Sequence, residues 1–504
     1  MRLLFIIALT ILLSSLFSAE IRDGQLFLEV YIADGKQIEL STRGSFSISE
    51  IGSPLSGSYS GDVQLSIITS DEQIMWGLIN QTEDVTHEER FMNPEDNIMD
   101  KFAWRDGKLT IIHERLVFED KYFTSQSAAE KYADETGYPR KMIHPIPMQS
   151  AGLKVINGSK KADYYQLPIS IVCDSTIVFN QQKNDYSGIF LIKPSGGELV
   201  VTNLQDLESY VMGVVPNEIG STAPEEALKL QSVAARTHAI SLLLANKHLN
   251  DGYDLCNGTH CQVYKGNHLV SNNVRAAIME THGIVMLYED RIADAVYHSN
   301  CGGKTESNQN AWFGKPIAFL QGVACNPDTD CLDLTDESEA VQWINQTSDT
   351  DGMASWEKRS ERWEQTISRS RLAQNAGVTN LHTMTVLSRG VSGRILKLKL
   401  IGSNQVTLQG EYKIRQAFGS LPSSLFYIRN GSKSSDASYA LPETVTIKGK
   451  GFGHGVGLCQ VGALQKVRAG WNWQDILSFY YPGTELSSDW LCDTAFNLQN
   501  NGTE

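Results

Sequence analysis

The stretch from Leu207 to Leu244, LESYVMGVVPNEIGSTAPEEALKLQSVAARTHAISLLL, is the segment from which the fold is best read. Its second half predicts a long helix. Pro224, Glu225 and Glu226 open it, placing proline and acids in the first turn, where the helix dipole favours negative charge. No breaker follows from Ala227 onward. Leu230, Val233, Ala234, Thr237, Ile240 and Leu244 recur at helical spacing, so one face is expected to be buried. Tyr210 to Val215 reads as an apolar strand. Glu218 then stands in the turn between strand and helix, among apolar and neutral neighbours. Such surroundings resist ionisation and raise an acid towards the range of a useful general acid. Taken alone, a glutamate in a turn is more often simply solvated.

Working outward, residues 20–150 read mostly as β structure. QLFLEVYI from Gln25 and VQLSII from Val63 alternate apolar and polar positions as half-buried strands do. A helix is expected over Ser125 to Thr136, and Pro139 to Pro147 reads as a linker. Residues 151–205 return to short strands, with Gly196 and Gly197 marking a hairpin. Residues 332–380 are polar and read as one or two surface helices, an insertion. Strands are expected over 381–430, and a strand, a glycine-rich loop and a helix over 445–490. The fold class is therefore α+β: β-rich domains with a long helix after the Glu218 turn. The expected division is 1–19, 20–150, 151–490 and a tail, 491–504.

At 504 residues the chain is too long for one ordinary core, and 41% hydrophobic with 20% charged residues is a globular composition. A net charge of −15 argues against a nucleic-acid partner, which needs clustered Lys and Arg. The first nineteen residues have the layout of a secretory signal peptide. Met1-Arg2 is followed by an apolar run from Leu3 to Leu13 and a small-residue finish of Ser14, Ser15, Ser18 and Ala19. An uncleaved anchor is the other reading; both place the remainder outside the cytoplasm, in the periplasm or cell envelope. Eight cysteines, at 173, 256, 261, 301, 325, 331, 459 and 492, invite a disulfide reading there. Cys325 and Cys331 bracket a Pro-Asp loop that they can staple.

Three further constellations carry chemistry. Cys256, His260 and Cys261 lie in one tight loop and can take three positions of a tetrahedral zinc, with His248 as the fourth and His238 less suited. A Cys256–Cys261 disulfide is the competing reading. The run HSNCGGKTE, His298 to Glu306, follows an apolar strand, and Gly302-Gly303 lets backbone approach a ligand closely. The bland alternative is a tight turn. GKGFGHGVGLCQ, Gly449 to Gln460, matches neither a P-loop nor a dinucleotide fingerprint. It reads either as a loop lying along a substrate, with His454 and Gln460 as polar contacts, or as a turn that only packs.

These segments, in this order, resemble the stage II sporulation protein D (SpoIID) family, which includes the amidase-enhancer proteins. The runs that carry the resemblance are LESYVMGVVPNE from Leu207, EALKLQSVAART from Glu226, HCQVYKG from His260, CGGKTES from Cys301, GHGVGLCQ from Gly453 and YYPGTEL from Tyr480, with Ser392-Gly-Arg394 and Arg415. Coverage runs from about 165 to 487. The resemblance implies a lytic transglycosylase acting on peptidoglycan glycan strands stripped of stem peptides, with Glu218 as the acid. Some members bind zinc through a Cys/His loop, which carries that role onto Cys256, His260 and Cys261. The chain departs from many members at His238, where an aromatic is usual, and at Cys459, where serine is usual. Arg236, His298, Ser299, Gly302, Gly303, His454 and Gln460 are the substrate-binding candidates. No cofactor is required, although a structural zinc fits. The partners implied are glycan strands and an N-acetylmuramoyl-L-alanine amidase acting upstream. The rivals are a non-catalytic peptidoglycan-binding amidase enhancer and a metal-dependent hydrolase built on His260.

Overall fold

The computed structural model describes residues 20–491 apart from 23–24, 52–54, 69–73, 86–97, 106, 124, 140–141, 148–151, 159–160, 196, 249–250, 267–268, 348–349 and 436–437. The expected signal peptide and nearly all of the expected tail lie outside the described residues. The chain is α+β and falls into two compact units. One comprises Met1–Thr222, Ala235–Val285 and Ser487–Glu504; the other Ala223–Ala234 and Met286–Leu486. No helix among the described residues is long and apolar enough to cross a membrane.

The first unit is built on a nine-stranded sheet. Its strands are β1 (Glu20–Arg22), β2 (Gln25–Gly35), β3 (Gln37–Glu50), β4 (Ser56–Ile68) and, after an excursion, β9 to β13. The excursion holds β5 (Ile74–Val85), β6 (Ile98–Arg105), β7 (Lys108–Phe123), helix α1 (Gln126–Thr136) and β8 (Ile143–Pro147). The chain then returns as β9 (Gly152–Asn157), β10 (Asp163–Gln166), β11 (Ile169–Phe179), β12 (Tyr186–Ser195) and β13 (Glu198–Asp206). The spatial order is β1-β2-β13-β12-β11-β3-β4-β9-β10. Strands on both sides of the boundary expected at 150 thus share one sheet. Ile171 stands between Ile48 of β3 and Phe190 of β12, and all three are buried. Alternation of such apolar residues along each strand fixes the register, because a one-residue slip would turn every one of them outward.

The excursion forms its own four-stranded sheet, ordered β6-β7-β5-β8. Helix α1 covers it, burying Ala129 and Ala133 against Leu78 and Ile143. Ser125 caps that helix by accepting the Ala128 N–H, and Gly137 closes it in the left-handed region at φ 75°. The stretch expected as a linker contains β8 instead. Its Pro145 and Pro147 are tolerated because β8 is an edge strand, where a missing N–H breaks no ladder.

Helix α2 (Leu207–Val215) follows β13 without a loop, then α3 (Glu225–Leu244) and α4 (Asn272–Glu280). The expected strand over Tyr210–Val215 is therefore a helix. Asp206 starts it by accepting the Ser209 N–H at 3.0 Å. The run Val211, Val214 and Val215 is buried along with Tyr210, so periodicity could not separate strand from helix there.

The second unit begins with the hairpin β14 (Val285–Tyr288) and β15 (Arg291–Ile292), then β16 (Tyr297–His298) and α5 (Asn308–Trp312). Helices α6 (Glu337–Asn345) and α7 (Ser355–Glu361) lead into β17 (Arg362–Ser368) and α8 (Arg369–Ala376). The expected surface insertion is woven into a sheet, since β17 pairs along its whole length with β24 (Thr444–Lys450), which also pairs β21 (Phe426–Ile428). Strands β18 (Thr383–Arg389), β19 (Ile395–Ile401) and β20 (Gln405–Gln409), helix α9 (Glu411–Ala417), β22 (Ser432–Ser435) and β23 (Ser438–Ala440) complete a five-stranded sheet with its covering helix. Leu372, Met384, Leu398, Ile414, Phe426 and Ile447 form the shared core. The chain ends with β25 (Leu458–Cys459), paired in parallel with β16, then α10 (Gln460–Arg468), α11 (Trp473–Tyr480) and β26 (Glu485–Ser487).

Candidate active site and metal centre

Pro216 to Gly220 forms a single π-helical turn after α2. Such turns are rare and concentrate at functional sites. Glu218 lies at its centre, half-buried, and its Oε1 accepts the backbone N–H of Val263 at 2.9 Å. Asn217 steadies the turn by donating to the Gly213 carbonyl at 2.8 Å. The Val263 segment is held in turn by its neighbours. Tyr264 donates to Asn203 Oδ1 at 2.7 Å and stacks on Tyr210 with ring centroids 5.4 Å apart. Tyr210 donates to Gln262 Oε1 at 3.1 Å, and Gln262 donates to the Ala235 carbonyl at 3.2 Å. Burial, reinforced by the charges of Cys261, Glu218 and Cys256, pushes the Tyr210 phenol up, so it remains a donor at neutral pH.

Gly213 in α2 makes this packing possible, because a Cβ there would stand 2.3 Å from the Tyr264 ring. Gly213→Val is expected to lower stability by about 1–3 kcal/mol, as overpacked core sites do. Urea denaturation would read this as a reduced midpoint; a midpoint at or above wild type would refute the packing argument.

The Cys/His loop belongs to the same segment. Ligand atoms of His248, Cys256, His260 and Cys261 all lie within 4.8 Å of one another. His248 Nε2 is 3.2 Å from Cys261 Sγ, and His260 Nδ1 is 3.8 Å from both sulfurs. Ligands around a tetrahedral zinc stand about 3.3–3.8 Å apart, given Zn–S of about 2.3 Å and Zn–N of about 2.0–2.1 Å. Both cysteines are free thiols, so the disulfide reading is not realised. Asp251 Oδ2 lies 2.7 Å from His248 Nδ1, the carboxylate that orients many metal-bound imidazoles. Hydrogen bonds accepted by Asp251 first, then by Cys256, hold His248 up at about 9. The Cys256 thiol is pulled down to about 3, chiefly by the Cys261 hydrogen bond, with His248 and His260 adding to it. The residues fit a zinc. Cys261 precedes Gln262 and Val263, so the loop that can hold the ion also presents the N–H that grips Glu218.

Arg236 is fully buried, and its guanidinium forms a two-pronged pair with Glu208 at 2.7 and 2.6 Å and donates to the Ile284 carbonyl at 2.9 Å. Its place is thus among the supports of α2 and α3.

In the second unit, the motifs at 298–306 and 449–460 meet around Arg394. This side chain is fully buried and donates to the carbonyls of Cys301 (2.9 Å), Asn300 (3.4 Å) and Gly453 (3.3 Å) and to Ser392 Oγ (3.3 Å). Glu306, also buried, accepts from Ser392 Oγ (2.6 Å), Asn310 Nδ2 (2.8 Å) and the Ser307 N–H (3.0 Å). The glycines face protein. A Cβ on Gly303 would meet the Trp343 ring at 2.3 Å, and one on Gly455 the Arg394 guanidinium at 2.5 Å, with both residues at positive φ. Gly302 is buried and its carbonyl accepts the Trp343 indole N–H at 2.7 Å. The loops therefore approach the interior closely where a ligand contact was expected. His298 is buried with Nδ1 on the Val456 carbonyl, 3.0 Å, and the Ser299 carbonyl accepts the Val461 N–H, 3.0 Å. Gln460 is buried and donates to Gln231 at 3.3 Å.

His454 is the more accessible residue. It donates from Nε2 to the Tyr297 carbonyl (3.0 Å), accepts the Val456 N–H at Nδ1 (3.1 Å), and lies 5.2 Å from the ring of exposed Trp312. The sequence did not single out Trp312 or Val263: an exposed tryptophan has no local signature, and Val263 acts only through its backbone. The expected Cys325–Cys331 staple does not form, because the Cys325 thiol turns inward to Tyr480 Oη, 3.1 Å away, and Cys331 is exposed.

A family model described as stage II sporulation protein matches residues 195–288, and one described as a domain of unknown function matches 306–457. An uncharacterised protein of Brachyspira hyodysenteriae is 28% identical over 324 residues, 63% of this chain and 76% of that protein. The amidase enhancer of Bacillus subtilis is 29% identical over 304 residues, 55% of this chain and 40% of that protein, so the match spans less than half of the enhancer. Stage II sporulation protein D of Bacillus subtilis is 26% identical over 298 residues, 56% of this chain and 74% of that protein. The segment matched by the first model contains Glu218, the Val263 backbone that holds it and all four residues of the Cys/His loop, so the similarity to the stage II sporulation protein family falls on the candidate site itself.

Proposed function

We propose that this protein is an exported lytic transglycosylase of the periplasm or cell envelope, cleaving peptidoglycan glycan strands with Glu218 as general acid and then base. The observation that carries the reading is the π-helical turn that presents Glu218, with Oε1 fixed by the Val263 N–H. A hydrolytic glycosidase usually divides its work between two carboxyl groups. A transglycosylase reuses one. Glu218 donates its proton to the glycosidic oxygen between MurNAc and GlcNAc as the C1–O bond breaks. The carboxylate then takes the proton of the MurNAc C6 hydroxyl while O6 bonds to C1. Glu218 ends protonated as it began, the product carries a 1,6-anhydro ring, and no water is consumed.

A zinc held by His248, Cys256, His260 and Cys261 would supply rigidity to the loop and no chemistry of its own. Strands stripped of stem peptides are the preferred substrate in this reading, so an N-acetylmuramoyl-L-alanine amidase acts upstream. Trp312 beside His454 offers a flat apolar ring for a sugar face. That ring also supports the second reading, a non-catalytic glycan-binding amidase enhancer, which the name of one relative brings to mind.

Mass spectrometry of glycan strands, with and without stem peptides, after incubation with the purified protein separates these outcomes. Anhydro ends are expected. Reducing ends would mean hydrolysis, and strands bound but left intact would favour the enhancer.

A further inference from the structure

We infer that the second unit contains its own structural zinc centre, formed by His298, Cys301, Cys325 and Cys459. Ligand atoms of His298, Cys301 and Cys459 lie within 4.8 Å of one another, and these residues are only 4%, 2% and 0% exposed. The Cys325 sulfur is the neighbour that completes the set: it and the Cys459 sulfur lie over the same face of Gly462, 3.1 and 3.3 Å from where a Cβ would be. Three thiols and an imidazole make a Cys₃His set, a closed zinc site with no position left for water.

Two details distinguish this cluster from cysteines that merely pack. First, His298 is poised as a ligand. Its Nδ1–H is used by the Val456 carbonyl, which leaves the lone pair on Nε2, and Nε2 is buried with no hydrogen-bond partner. An orphaned buried acceptor is costly, and a metal would satisfy it. Second, the sulfurs are surrounded by donors suited to thiolates. Cys301 Sγ accepts the Gly303 N–H at 3.3 Å. Cys459 Sγ accepts the N–H of Cys301 at 3.2 Å and of Gly462 at 3.3 Å, at the N-terminus of α10. The hydroxyl of Tyr480 lies 3.1 Å from Cys325 Sγ.

A disulfide between any two of the cysteines would leave the third thiol and His298 Nε2 unsatisfied; one zinc engages all four. Three thiolates and Zn²⁺ leave a net charge of −1. Arg394, fully buried, lies within the electrostatic reach of Glu411, Cys301, Glu306 and Cys459 and donates to the Cys301 carbonyl, so it would help to balance that charge. The centre would cross-link β16, the Cys301 turn, the Cys325 loop and the start of α10.

The test uses the purified full chain. Elemental analysis of the Cys256→Ser/Cys261→Ser variant, which lacks the loop ligands of the first unit, is expected to find one zinc per chain. Cobalt substituted into it should show the ligand-field bands of a tetrahedral site and thiolate charge transfer. Adding Cys459→Ser should remove both. No zinc in a double variant with a native circular dichroism spectrum overturns the assignment. Should that variant not fold, the wild-type count decides: two zinc per chain supports the centre, and one or none overturns it. A disulfide-linked peptide joining any two of Cys301, Cys325 and Cys459 in the unreduced wild type overturns it as well.

Discussion

Glu218→Gln is expected to slow glycan-strand cleavage by roughly 10²–10⁴-fold, the usual contribution of a positioned acid and base. The substitution isolates the proton. A glutamine carbonyl can still accept the Val263 N–H that Glu218 Oε1 accepts at 2.9 Å, so the turn keeps its anchor. Size and shape barely change. What is lost is a group able to give up a proton to the glycosidic oxygen and take one from the C6 hydroxyl. The loss should therefore fall on kcat, with strand binding close to wild type. Glu218→Asp should also be slow, because removing one methylene draws the carboxyl away from both the substrate and Val263. Steady-state release of anhydro ends is the measurement. A Glu218→Gln protein that cleaves at the wild-type rate would remove Glu218 from the chemistry.

Arg394→Met is expected to cost about 3–5 kcal/mol of stability, the range seen when one partner of a buried charged network is removed. The side chain is fully buried, and four acceptors depend on it: the carbonyls of Asn300, Cys301 and Gly453 and the hydroxyl of Ser392. Methionine fills much of the space but donates nothing, and Ser392 loses a partner while still donating to Glu306. Arg394→Lys should recover only part of the loss, since a single ammonium cannot reproduce the planar fork. Urea unfolding followed by tryptophan fluorescence reads the effect directly, because Trp343 and Trp363 are both buried in this unit. A midpoint shift worth less than about 1 kcal/mol would show that the network around Arg394 contributes little.

Local chemistry was the legible part of this sequence. The start of α3 was set by Pro224, Glu225 and Glu226, and α1 lies where its composition predicted. The Cys/His loop was legible because its ligands are close in sequence. Long-range pairing was not. Nothing in Leu28 or Val30 announces that β2 will lie beside β13, so a domain boundary at 150 looked natural. Tyr210 to Val215 failed for another reason: a run buried on all sides has no period to read. The grip of Val263 on Glu218 spans 45 positions, and the His298–Cys301 run, Cys325 and Cys459 come from three separate segments that only the fold brings together.

The nine-stranded sheet also has a kinetic consequence. β2 and β3 are synthesised early, yet their partners β13 and β11 end at Asp206 and Phe179. Pairings between residues so distant along a chain form slowly, since a long loop must close before any contact rewards it. Local pairing of β1 with β2 and of β3 with β4 can come early, but these pairings with β13 and β11 must wait until some two hundred residues are available. Under the export proposed above, that delay would be useful: the segment that enters the channel first could not complete its sheet on the wrong side.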